Sequence, residues 1–190
     1  MPRTTRSVLA TAAVAVVATL TLSPAATAGP PDDSGDWTRE RGTVLECAGS
    51  HRGWEVVATM YENDRHLNEV SVSLSRGDRE LHAHRTPQQR FTTTKRLRVG
   101  APAHHEGERT GHRIRVAGSL RAFGPRLSVN ETFADAGQQI TTVGHQRRLA
   151  TDLVVRYRSA RIPVDCQPAF RFDLWTKSEP IAEPTEPTDS

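Results

Sequence analysis

Two cysteines bracket most of the patterned part of this chain. Cys47 and Cys166 lie 119 residues apart, and the sequence holds no other cysteine. If they pair, the connectivity is unique. Their Cα atoms must then come within about 7 Å, so the first and last strands of the fold must be neighbours. In the loop-entropy picture, closing a loop of this length contributes about 4–5 kcal/mol of stability. There is no C-x-x-C spacing, which argues against a redox or metal-ligand pair.

Pairing requires an oxidising compartment, and the N-terminal residues predict one. Arg3 and Arg6 precede an uncharged apolar run from Val8 to Leu22. Pro24 interrupts it, and Ala26-Thr27-Ala28 supplies the small-x-small pattern of a cleavage site. Residues 1–28 read as a signal peptide, leaving 162 of the 190 residues. The apolar run is shorter than the roughly 20 residues a spanning helix needs. No cysteine follows it to carry a lipid. A secreted, extracellular protein without a membrane anchor is the expectation.

The segment 29–36 (GPPDDSGD) is too polar to bury apolar surface and is expected to be disordered. The acidic, Pro-rich tail 178–190 (SEPIAEPTEPTDS) carries the same expectation. Between them, residues 37–177 read as one antiparallel β domain. Short β-branched segments alternate apolar and polar positions, and no stretch of ten residues shows a helical stripe.

In Trp54 to Tyr61, Trp54, Val56, Ala58 and Met60 share a face. Glu62-Asn63-Asp64-Arg65 reads as a turn. Val70, Val72 and Leu74 point inward from Glu69 to Ser75, and Arg79 to Arg85 is the hairpin partner after Arg76-Gly77-Asp78. Pro87 to Leu97 reads as an ambiguous, edge-like segment and Val99 to Gly111 as a polar loop. In the strand His112 to Phe123, Ile114, Val116 and Leu120 oppose Arg113, Arg115 and Arg121. Arg126 to Phe133, Gln138 to Val143 and Leu149 to Ser159 follow. In the last of these Leu153, Val155 and Tyr157 oppose Asp152, Arg156 and Arg158. Ile162 to Cys166 and Ala169 to Thr176 complete the set. Eight to ten such strands predict an all-β, antiparallel β-sandwich, with a closed up-and-down β-barrel as the alternative.

Charge is unevenly placed. Residues 37–178 hold 23 basic and 15 acidic residues, a net charge of +8, and the basic residues are arginine except Lys95 and Lys177. Such a surface attracts polyanions, although arginines at alternate strand positions are also an ordinary solvated face.

No motif supplies a convergent catalytic set. His82-Ala83-His84 is the best metal candidate, because residues i and i+2 of a strand project from one face. Cupin-type barrels add a glutamate shortly afterwards, but here Arg85-Thr86-Pro87-Gln88-Gln89 follows. His104-His105-Glu106 could add ligands. There is no G-x-S-x-G, and Ser73 and Ser119 read as ordinary strand residues. Glu55 and Glu131 are the acids on strand interiors, and each reads as an arginine partner rather than a catalytic acid. Phosphate loops and dinucleotide fingerprints are absent, so no cofactor is expected. Aromatic residues make up 5% of the chain, which offers little for stacking bases or sugars, and no specific nucleic-acid binding is expected. Trp54 reads as core, while Trp37 and Trp175 could meet near the disulfide. Asn130-Glu131-Thr132 matches a glycosylation acceptor, but the Ala- and Arg-rich composition resembles bacterial secreted proteins and predicts no modification.

The sequence thus predicts a secreted, non-catalytic binding or structural module with an extracellular partner of unspecified kind. A metal-dependent enzyme built on His82 and His84, and a barrel holding a small apolar ligand, are the alternatives.

Overall fold

Strand alternation makes this chain a sheet, because each strand has one apolar face to cover. The structure is a computed structural model that describes residues 36–181. The expected signal peptide lies outside the described residues, as do 29–35 and 182–190. Nine strands follow in order: β1 (Thr38–His51), β2 (Trp54–Asn63), β3 (Glu69–Arg76), β4 (Arg79–Arg85), β5 (Arg96–His105), β6 (Glu108–Ala122), β7 (Leu127–Asp135), β8 (Gln138–Tyr157) and β9 (Ala160–Pro180).

All pairings are antiparallel, in the order β6-β5-β4-β3-β2-β1-β9-β8-β7, and β6 also pairs with β8. Eight strands therefore form a closed circuit, with β7 laid along the outer part of β8. Pairing order alone does not separate a rounded barrel from a flattened, sandwich-like one. β8 and β9 are longer than the two strands expected for each, and they serve twice. Leu149–Tyr157 pairs with Ile114–Ala122 of β6, whereas Gln138–Gln146 pairs with β7. The same outer part of β8 pairs with the end of β9, as far as Gln138↔Pro180. β9 thus continues three residues beyond the Lys177 boundary expected for the domain.

Cys47 and Cys166 face each other across β1 and β9, with Cα atoms 3.9 Å apart, and form the disulfide. Leu45 pairs with Ala169 and Cys47 with Cys166, so β9 carries one extra residue there. Pro168 occupies this bulge, a position that tolerates the loss of its N–H. Trp175 stands opposite Arg39, on the same two strands but eight residues along β1 from the disulfide. It stacks under the Arg39 guanidinium, 5.6 Å from its ring centre, and does not cover the cysteines.

The inward side chains form one contiguous core. Val56, Leu74 and Leu81 make one cross-strand row, and Ala58, Val72 and Ala83 the next. Leu97, Val99, Ala101 and Ala103 line β5, and Ile114, Val116, Val155 and Ile162 continue the wall. Val99 to Gly111 is therefore a hairpin rather than a polar loop. Small alanines hide its alternation, and Glu106-Gly107, both at positive φ, make its two-residue turn.

Glu62 is the principal surprise. It continues the inward row of Trp54, Val56, Ala58 and Met60, belongs to β2, and is fully buried. Its carboxylate accepts from Arg90 Nε at 3.0 Å, Phe91 N at 2.7 Å, Thr92 N at 2.8 Å and Thr92 Oγ1 at 2.6 Å. A buried carboxylate is tolerated when its acceptor sites are filled in this way. Arg171 of β9 donates to the carbonyls of Thr93 and Thr94 from the other side. Burial pulls its guanidinium below the usual arginine range. The segment 86–95 is thereby fastened over one end of the circuit. At the other end Trp54 meets Tyr157 edge-on, and Arg76 and Arg158 lie over their rings.

Two outcomes test these anchors. Glu62→Gln places an amide donor among backbone donors, and it is expected to cost about 3 kcal/mol in urea unfolding. Asp173 is held by Arg39 through two bonds of 2.7 and 2.8 Å, with Arg41 at 3.6 Å. The Arg39 hydrogen bonds keep its carboxyl below the usual carboxylate range. A depressed folded value stabilises above the unfolded value, about 3.9, and the gain is lost as pH falls through the folded value. Asp173→Asn is therefore expected to lower the melting temperature slightly at pH 7, and the gap should close below about pH 3.

Candidate functional site

The circuit has one weak seam. β4 and β5 share a single residue pair in register, His82↔His104. Pro102 has no N–H to offer a ladder, and the pairing of β5 with β6 shifts between Pro102 and His104. The two strands diverge below that point, and 86–91 crosses the gap. The result is a cleft of about 910 Å³.

Its walls are arginines. Arg85 comes from the end of β4, Arg90 from the crossing segment, Arg98 from β5, Arg113 and Arg115 from β6, and Arg156 from β8. Alternation explains the β6 pair, since Ile114 and Val116 point inward and force their neighbours outward. Arg90 is matched by Glu62 at 3.0 Å. Among the described residues, the other five have no acid within salt-bridge distance. Among the described residues, no acidic side chain lines the cleft.

Gly100 lies at the centre. Its carbonyl accepts from Arg113 at 2.7 Å and from Arg85 at 3.3 Å, drawing guanidiniums from the two lips together. A Cβ here would stand 3.1 Å from Arg115 Cγ and 3.2 Å from the Ile114 carbonyl. Glycine lets the Arg115 stem lie close over β5. One backbone carbonyl cannot balance two cations, so the cleft carries uncompensated positive charge among the described residues.

The histidines singled out as metal candidates lie outside this cleft. His82 and His84 lie exposed on the outer face of β4, as the alternation implied. His82 Nε2 contacts Glu80 at 3.2 Å and His84 Nε2 contacts Glu69 at 3.3 Å, so each turns to a different carboxylate. His104 stands opposite His82, while His105 Nδ1 meets the Glu80 carbonyl at 2.7 Å. Among the described residues, no three His, Cys, Asp or Glu side chains are grouped to hold an ion.

Ser73 Oγ lies 3.0 Å from His82 Nδ1, so Ser73, His82 and Glu80 form a line. This resembles a nucleophile–base–acid order. However, His82 and Glu80 are more than half exposed, and none of the three residues lines any of the described clefts. Nothing there excludes water or holds a substrate, and the geometry is that of an ordinary cross-strand polar pair. Glu55 and Glu131 are exposed and make no ion pair among the described residues, so neither is seen as the arginine partner expected. The glutamate that serves that role is Glu62.

No protein-family model matches this chain, and no curated protein matches it. A solved structure from Nitrosomonas europaea, provisionally assigned as AttH, is 13% identical with a TM-score of 0.30. The alignment covers 89% of this chain and 60% of that one. A likeness at this level carries no functional argument. No helix of the described residues is long and apolar enough to cross a membrane.

Tag-free protein is expected to melt at the same temperature with EDTA, with added zinc, and with neither. One metal per chain whose removal lowers the melt would return His82 and His84 to the centre of the mechanism.

Proposed function

We propose that this protein is a non-catalytic binding module acting outside the cytoplasm, and that its ligand is an anion taken into the arginine cleft. The observation that carries this reading is the set of five arginines, on both lips of the seam, without acidic partners among the described residues. The disulfide accords with an extracellular or periplasmic location. Among the described residues, the larger clefts group no nucleophile, base and acid, which favours the binding reading.

Arginine suits the task. Its planar fork meets oxyanions through two parallel bonds and is weakly hydrated, so it gives up water readily. The stems of Arg113 and Arg115 are held by strand geometry, which lowers the ordering cost of binding. His82 and His84 have no part in this reading.

Retention on phosphocellulose tests it. The wild-type protein should elute at higher salt than the double variant R113Q/R115Q. The matched variant R126Q/R147Q removes the same charge from exposed positions away from the cleft, and it should elute near wild type. Equal losses in the two variants would mean that net charge alone drives retention, and the assignment of the cleft would fall.

A further inference from the structure

Like charges directly opposite on neighbouring strands destabilise a sheet. This sheet carries a row of them. Arg115 of β6 pairs in register with Arg156 of β8, and Arg156 pairs with Arg161 of β9. All three are exposed on the outer face, and among the described residues none has an acid within salt-bridge distance. Gly100 begins the same row on β5, so it leads straight out of the cleft where Arg85 and Arg113 converge. Asp152 shares this face, but it stands opposite Ser119, four residues along β8 from Arg156.

Neighbouring strands are spaced about 4.8 Å apart. The row therefore repeats a guanidinium at roughly that interval across three strands. A single small anion would occupy the cleft, whose lining ends at Arg156, and leave Arg161 unmatched. A linear chain with closely repeated negative charge would match every position. The aromatic side chain lining the cleft, Phe91, is half-buried against the core, and a single half-covered ring is a poor platform for a run of stacked bases.

Building on the anion-binding reading above, we propose that the ligand is an extended, base-free phosphate polymer. It enters at Arg85, Arg98 and Arg113 and runs along Arg115, Arg156 and Arg161. Inorganic polyphosphate and a polyol-phosphate polymer of a cell envelope share this chemistry. Arginine's bidentate fit to phosphate favours it.

The test is calorimetric titration and thermal melting of the tag-free protein with orthophosphate, tripolyphosphate, long-chain polyphosphate, a glycerol-phosphate polymer, oligo-dT and dextran sulfate. Long phosphate chains should bind roughly 10²-fold more tightly than tripolyphosphate, by engaging linked sites. Arg161→Gln should remove most of that advantage and leave tripolyphosphate binding unchanged. Its log-affinity against log-salt slope should fall by about 0.7. Arg113→Gln should weaken short and long chains alike. Arg156→Gln should melt no lower than wild type without ligand, because it relieves repulsion, yet gain less from polyphosphate. Whichever phosphate polymer binds more tightly, and loses more in Arg161→Gln, is the source.

The proposal is overturned if orthophosphate matches the long chains, if Arg161→Gln has no effect, or if oligo-dT or dextran sulfate binds as tightly as the phosphate polymers. Those results leave the cleft as an anion site. Failure of every anion to bind, with no retention on phosphocellulose, would sink the broader reading as well.

Discussion

Everything in this molecule depends on β1 meeting β9. That contact closes the circuit, and the Cys47–Cys166 bond holds it at one register. Without it β1 and β9 would be free edges, and two long rows of backbone donors and acceptors would face water or other chains. With it, eight strands have partners on both sides, and the inward row of each strand contributes to one core. Register matters because a slip of one residue would turn Leu45 and Cys47 outward together.

Closure creates a second requirement, since a ring of strands has two ends. One is filled by aromatic packing around Trp54 and Tyr157. At the other, Glu62 and Arg171 fasten 86–95 through hydrogen bonds, with Phe91 packed against the core beside them. That polar solution also shapes the arginine cleft. Arg90 is spent on Glu62, and the segment it belongs to forms one wall. The end cap and the candidate site are thus built from the same residues.

The class of fold was legible because alternation is a local signal. The disulfide was legible because two cysteines allow one bond. What escaped were features that depend on pairing. Glu62 lies in phase with Met60 and Ala58, and extending that phase by one step would have placed it inside. A charged residue before Asn63-Asp64 reads instead as the start of a turn. The β5–β6 hairpin escaped because Ala101 and Ala103 bury little area and Pro102 argues against a strand. The outward phase of Arg113, Arg115 and Arg156 was readable. Their alignment was not, since β7 and its turns lie between β6 and the part of β8 that pairs with it. His82 and His84 show the converse case, in which spacing placed two ligands on one face and the neighbouring carboxylates drew them to separate partners.

The seam between β4 and β5 gives the ring an unequal circumference. Around most of it, neighbouring strands are laced by many residue pairs; here one pair is in register, and side chains supply the remaining bonds. A hoop with one thin link deforms there first, and local opening is governed by the weakest stretch rather than by total stability. Arg85 stands on one side of the link, Arg98 and Arg113 on the other. The anion proposed for the cleft would then act as an external rivet, tying together the strands that their own backbone leaves loosely joined.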